Sequence, residues 1–258
     1  MNGARLVASC CFVCLVLPIA SFSQPKTAPS GSTVDSSKST VSVHELQIPE
    51  KARNAFNKGT QRLVVKDFAG SIAEFQKAVA AYDEFYEAYY KLGIANLQLQ
   101  MNEAAETAFR KSIELSESKY APPLFGLGLT LGNEKEYDDA ESFIRAGLNI
   151  EPTSAPGHFA LAWVLYSAQR IAEAEKAAGE AVRRNPNFAM AHLLLAQIHR
   201  RQNNSAAMVE DLDAYLRIEP DSPRSRALRT TRDEAEQSLN GDSGAKPNEV
   251  LPDPAVDR

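Results

Sequence analysis

Cysteine is nearly absent from this 258-residue chain, and the three present, Cys10, Cys11 and Cys14, all lie close to its N-terminus. The rest of the chain therefore has no disulfide, no thiol nucleophile and no Cys-based zinc site, and must fold on its core alone. Positive charge is not in excess: 28 Lys and Arg face 33 Asp and Glu, a formal net charge of −5. That balance argues against nucleic acid as a partner, because such affinity comes largely from cations that neutralise phosphates. Thirteen Gly and 14 Pro exclude collagen-like and Pro-rich classes. What is there, 44 % apolar and 24 % charged residues, is the mix of an ordinary folded protein.

Long apolar runs are also scarce. The one that stands out comes after Arg5 and extends from Leu6 to Ala20, ahead of Ser21-Phe22-Ser23. A weak positive start, an apolar stretch and small residues before a cut predict a signal peptide over 1–23, cleaved after Ser23. The mature chain would then begin at Gln24 and be exported, either periplasmic or secreted. Two alternatives stay open. An uncleaved anchor is disfavoured because a membrane span needs about 20 apolar residues and Pro18 interrupts this run. Val7-Ala8-Ser9-Cys10 resembles a bacterial lipobox, yet little apolar sequence precedes it and the run continues past it. Residues 24–43, rich in Ser, Thr, Pro, Gly and Lys, read as a flexible linker. Residues 240–258, with three Pro and turn signals at Asn240-Gly241 and Ser243-Gly244, read as a disordered tail.

Residues 44–239 hold everything that can fold, and they repeat. Small residues recur at Gly59, Gly93, Gly128, Ala162 and Ala196, spaced 34, 35, 34 and 34 apart. Twelve residues after each come Ser71, Ala105, Ala140, Ala174 and Met208, and seven further on Ala78, Ser112, Gly147, Ala181 and Tyr215. Pro152, Pro186 and Pro220 close the last three units. Apolar residues inside each unit fall at helical intervals, as in Leu92, Ala95 and Leu99. Polar breaks such as Lys66-Asp67 and Gln100-Met101-Asn102 divide the units into two helical stretches. Small residues let those two helices approach closely. Proline stops the second helix, and Ser154, Asn187 and Ser222 are predicted to cap the next one, with Pro156 and Pro223 in the first turn.

The pattern resembles the tetratricopeptide repeat (TPR), a 34-residue helix–turn–helix unit. The resemblance covers Ala52 to Ser222 and implies an all-α, right-handed solenoid of about five hairpins with a C-terminal capping helix. The predicted units are 52–85, 86–119, 121–154, 155–188 and 189–222, with the cap at 223–239. Three departures stand out. The aromatic that often opens the first helix is matched only by Tyr89, one residue is inserted between Gly93 and Gly128, and the fifth unit carries Met208 and Tyr215 in small slots. A degenerate terminal unit suits an array whose last apolar face needs covering. The lead-in from Val41 to Lys58 is similar to that of exported bacterial members.

Chemistry-bearing motifs are missing. Gly126-Leu127-Gly128 lies inside a helical stretch and is no phosphate loop, and neither a Gly-x-Ser-x-Gly elbow nor a His-Glu-x-x-His occurs. Of the four His, His158 and His192 share a slot in adjacent units, and His192 and His199 are two turns apart, with no third metal ligand in view. Asp138-Asp139 and Glu173 with Glu175 open second helices, where the dipole favours acid. Arg224, Arg226, Arg229 and Arg232 are predicted to lie over the apolar face of the cap. No enzyme, cofactor or metal is expected.

What remains is a surface. In TPR arrays the first helices line a concave face, and the matching slots here predict a partner groove at Tyr90, Ile94, Leu97, Phe125, Leu129, Phe159, Trp163, Tyr166, Leu193 and Gln197. Relatives that clamp a peptide carboxylate use Lys and Asn in such slots, whereas these are mostly apolar or aromatic. The resemblance therefore implies a non-catalytic scaffold or adaptor binding an apolar or amphipathic polypeptide segment, in association with the cell envelope. Some of these rings could instead fill gaps between neighbouring first helices. Phe159, Trp163 and Tyr166 share one helix face and, in a groove, would leave Trp163 partly exposed. The alternative function is structural, a self-associating homo-oligomer.

Overall fold

The computed structural model describes residues 47–239, so the predicted signal peptide, linker and tail lie outside the described residues. Within them are eleven α-helices and no strand. In order they are α1 (Glu50–Val64), α2 (Phe68–Ala81), α3 (Tyr86–Gln98), α4 (Asn102–Leu115), α5 (Pro122–Asn133) and α6 (Tyr137–Ile150). Then come α7 (Ala155–Ser167), α8 (Ile171–Arg184), α9 (Ala189–Arg201), α10 (Ser205–Ile218) and α11 (Ser225–Leu239). Ten of them form five hairpins and α11 is the additional C-terminal helix, the all-α solenoid that the repeat predicts.

The small slots explain the hairpins. A Cβ added at Gly59 would lie 2.7 Å from the Phe75 ring, one at Gly93 2.6 Å from Phe109, and one at Gly128 2.4 Å from Ile144 Cγ1. First and second helices therefore meet where the first helix carries no side chain or a methyl group. Odd-numbered helices also pack backbone to backbone in sequence, α1 on α3, α3 on α5, α5 on α7 and α7 on α9. Even-numbered helices stand further apart and meet through long side chains, as where Arg110 of α4 lies 5.6 Å from the ring centre of Phe143 on α6. Such an array has an inner layer of first helices and a more widely spaced outer layer of second helices.

The turn inside every hairpin is the same. Lys66, Gln100, Lys135, Gln169 and Asn203 all have positive φ, between 57° and 69°, and they recur at the repeat period. At each, the positive-φ residue donates its N–H to the carbonyl three residues back, and the next residue donates to the carbonyl five back. Gln169 N–H to Tyr166 O at 3.0 Å and Arg170 N–H to Leu165 O at 2.9 Å are one example. This is the Schellman closure of a helix, usually built with glycine and here built without it. A similar closure, with Glu117 and Ser118 at positive φ, ends α4 and uses up the inserted residue.

Capping differs from the sequence expectation. Ser154 does cap α7, accepting from Gly157 N–H, but Phe188 rather than Asn187 precedes α9 and makes no side-chain cap. Asn187 is instead held by its neighbour, donating its N–H to Asn185 Oδ1 at 3.1 Å. Pro223 lies ahead of α11 rather than in its first turn. Ser222 is engaged by Tyr215 Oη at 3.1 Å and Ser225 Oγ at 2.8 Å. That polar join satisfies the tyrosine hydroxyl in a slot where other units carry a small residue. Asp67 and Asn204 cap α2 and α10, although the sequence pattern marked Asp67 only as part of a polar break.

The main apolar core runs from Leu63 of α1 to Ile198 of α9. A separate cluster at the C-terminal end packs Leu228 and Ala235 of α11 on Met208, Leu212 and Tyr215. The cap arginines are mostly engaged in polar contacts: Arg232 pairs with Asp213, Asp233 and Glu236, and Arg229 donates to Pro220 O. Arg224 is buried against Met190, with Nη1 3.8 Å from its sulfur.

Candidate partner-binding surface

Burial separates the ten predicted groove residues into two groups. Ile94, Leu97, Phe125, Leu129, Phe159, Trp163, Leu193 and Gln197 are buried, and only Tyr90 and Tyr166 are partly exposed. Trp163 is 4 % exposed, which corrects the expectation of a partly exposed tryptophan. The cause sits one unit away. A Cβ at Gly132 would fall 2.8 Å from Trp163 Cζ3, so the indole fills the space that Gly132 leaves on the neighbouring first helix. Phe125 is enclosed in the same way, its ring within 2.6 Å of where Gly147 and Gly157 would carry a Cβ. Phe159 meets Phe188 at a tilt of 48°, with centroids 5.1 Å apart. These slots fill the seams between units.

The partly exposed remainder pairs aromatic rings with cations. Arg201 of α9 places its guanidinium carbon 5.1 Å from the centre of the Tyr166 ring of α7, and Lys91 Nζ stands 5.4 Å over Tyr90. Desolvation holds the Lys91 ammonium below the usual lysine range. The Tyr90 phenol is pushed up to about 12 by burial, with Glu151 adding to the shift. Tyr120 meets Tyr90 edge-on at 5.6 Å and Tyr86 at 5.3 Å. The sequence pattern did not mark Tyr86, Lys91 and Tyr120 as surface residues. A signal was present for one: Tyr120 is the residue left over between the second and third units.

Cavities open elsewhere as well. One of about 670 Å³ opens between α2 and α4, floored by Tyr89 and Leu92 and flanked by Ile72, Ala104 and Ala108. Another, of about 530 Å³, borders the α8–α9 and α10–α11 connections, with Phe188, Met190, Tyr215 and Arg224 in its wall. Among the described residues no group of three or more His, Cys, Asp or Glu is arranged to hold a metal, and no helix is long and apolar enough to cross a membrane. His158 and His192 each place Nε2 3.0 Å from a proline carbonyl, Pro152 O and Pro186 O. Glu173 forms an ion pair with Arg170, which also reaches Glu141 of the preceding hairpin.

The tetratricopeptide repeat family model matches residues 56–120 and 159–223, just over half of the chain. The protein belongs to that family. No curated protein matches it. Among solved structures, the thermophilic TPR protein TTC0263 of Thermus thermophilus is similar over 72 % of this chain and 98 % of its own, at 16 % identity and a TM-score of 0.64. PilF of Pseudomonas aeruginosa is similar over 75 % of this chain and 87 % of its own, at 17 % identity and a TM-score of 0.60. Yeast Tom70 is similar over 75 % of this chain and 42 % of its own, at 14 % identity and a TM-score of 0.61. Identities this low speak for the fold alone.

Proposed function

We propose that this protein is a non-catalytic scaffold acting outside the cytoplasm, which holds an apolar or amphipathic segment of a protein partner along its inner layer of helices. Membership of the repeat family supports an interaction scaffold in general, since stacked hairpins offer an extended surface and fold alone assigns no chemistry. The finer reading rests on one observation, the aromatic–cation pairs Tyr166–Arg201 and Tyr90–Lys91 on first helices. A ring with a cation beside it suits a segment that presents both apolar and acidic groups. The eight buried slot residues then serve as the platform that fixes these rings. Export is supported by the N-terminal segment alone.

A photo-crosslinking amino acid placed at Tyr166, at Tyr90 and at exposed Lys77 of α2 tests this in the native cell. One polypeptide should be captured from the exported fraction at the first two positions and not at the third. Equal capture at Lys77, or a product confined to the cytosol, would overturn the reading. Capture of only the chain itself would favour the homo-oligomer.

A further inference from the structure

The last hairpin contains a cluster with no counterpart in the other four. His192 and His199 of α9 share the carboxylate of Asp211 on α10. His192 Nδ1 lies 3.4 Å from Oδ1, and His199 Nδ1 lies 2.8 Å from Oδ2. The other nitrogens are also met by oxygen, His192 Nε2 by Pro186 O at 3.0 Å and His199 Nε2 by Glu175 Oε1 at 3.5 Å. All four ring nitrogens thus face acceptors. A neutral imidazole has one N–H, so it can bond one of its two partners, and a second bond requires a second proton. One repeat earlier, Leu165 and Ala177 stand where His199 and Asp211 are, so only the fifth unit is built this way.

We propose that this cluster is a proton-operated latch, which acidification closes between α9 and α10 of the fifth hairpin and rising pH releases. The side chains of His192, His199 and Asp211 are each 12–13 % exposed, so a proton taken up there is held inside the joint rather than shared with solvent. The charges around it are few. From α8 comes Glu175, itself bonded by Gln202 Nε2 at 2.5 Å. From α10 come Asp211 and, opposing protonation, Arg217. α7 carries two titratable side chains, His158, which turns to Pro152 O, and Tyr166, which lies under Arg201. His192 is raised above the ordinary 6.5 by its bond to Asp211, against desolvation, with the Pro186 carbonyl assisting. A raised histidine contributes stability that is fully present below the unfolded value near 6.5 and is lost as pH climbs through the folded value. This is the reverse of the usual carboxylate behaviour, and it is confined to one end of the array.

Two measurements on the full chain, both with EDTA present, decide the matter. Long-range proton–nitrogen NMR should show the His192 midpoint above 6.5, with both ring nitrogens protonated at pH 6. Deuterium uptake over residues 189–218, compared at equal pH with Asp211→Asn, should show the native hairpin about tenfold better protected at pH 6, at the lower end of what a bond to a charged group contributes. That advantage should shrink by pH 8.5. A His192 midpoint at or below 6.5, or a protection ratio that does not change with pH, would overturn the latch. The NMR titration needs no variant and decides the question even if Asp211→Asn fails to fold.

Discussion

Replacing Gly128 by alanine tests the hairpin geometry where a second helix presents both a side chain and a main-chain carbonyl. The new methyl would sit 2.4 Å from Ile144 Cγ1 and 2.8 Å from the carbonyl oxygen of Ala140. Gly179 on α8 is the matched control, because a methyl there meets nothing within 4 Å. In both cases alanine gains about 1 kcal/mol over glycine in a helix, from the smaller backbone entropy lost on folding. At Gly179 that is the whole effect. At Gly128 the isoleucine must leave its rotamer and α6 must retreat by about 1 Å, since a main-chain carbonyl cannot swing aside. Overpacking costs about 1–3 kcal/mol, and backbone in the way puts this site near the upper end. The expected result is a net loss of about 2 kcal/mol for Gly128→Ala and a gap of about 3 kcal/mol between the two variants. Urea unfolding followed by far-UV circular dichroism reads both, and the slope must be compared along with the midpoint because repeat arrays can unfold in parts. If Gly128→Ala gained as much as Gly179→Ala, the close approach of α5 and α6 would be refuted.

The same logic extends to the second helices and to the tryptophan. Ala140 and Ala174 are fully buried against their first helices, so leucine at either should cost about 1–3 kcal/mol, whereas the near volume-conserving Met208→Leu should cost under about 1.5 kcal/mol. Equal losses in thermal unfolding would show that the fifth hairpin is packed like the rest. Trp163, wedged over Gly132, should emit in the blue and resist acrylamide in the free protein. Red, readily quenched emission would mean that the seam between α5 and α7 is open.

Much of this architecture was legible because its determinants are local and periodic. Small residues twelve positions apart, such as Gly128 and Ala140, announce a hairpin before any coordinate is known, and five copies in register announce a stack. The capping helix was legible through the family resemblance, since a degenerate last unit with Met208 and Tyr215 in small slots leaves an apolar face to cover, and Leu228 and Ala235 cover it. The repeated turn was harder to see. Lys66, Gln100, Lys135, Gln169 and Asn203 adopt positive φ without being glycine, so only their spacing could have marked them.

The exposure of the slots was beyond the sequence. Periodicity placed Phe159, Trp163 and Tyr166 on one helix face, and that face is real, but a helix face has no fixed environment until its neighbours arrive. A glycine on α5 admits the indole of α7, whereas Tyr166 stays partly exposed and meets Arg201 from α9. The histidines show the same division. Sequence set His192 and His199 two turns apart as a conceivable metal pair, yet only folding brought Asp211, Glu175 and a proline carbonyl to their four nitrogens. Helix, turn and stacking order are written in contacts close along the chain. Which side chains meet water, and which meet a charge, is set by packing between units, where a single missing side chain decides the outcome.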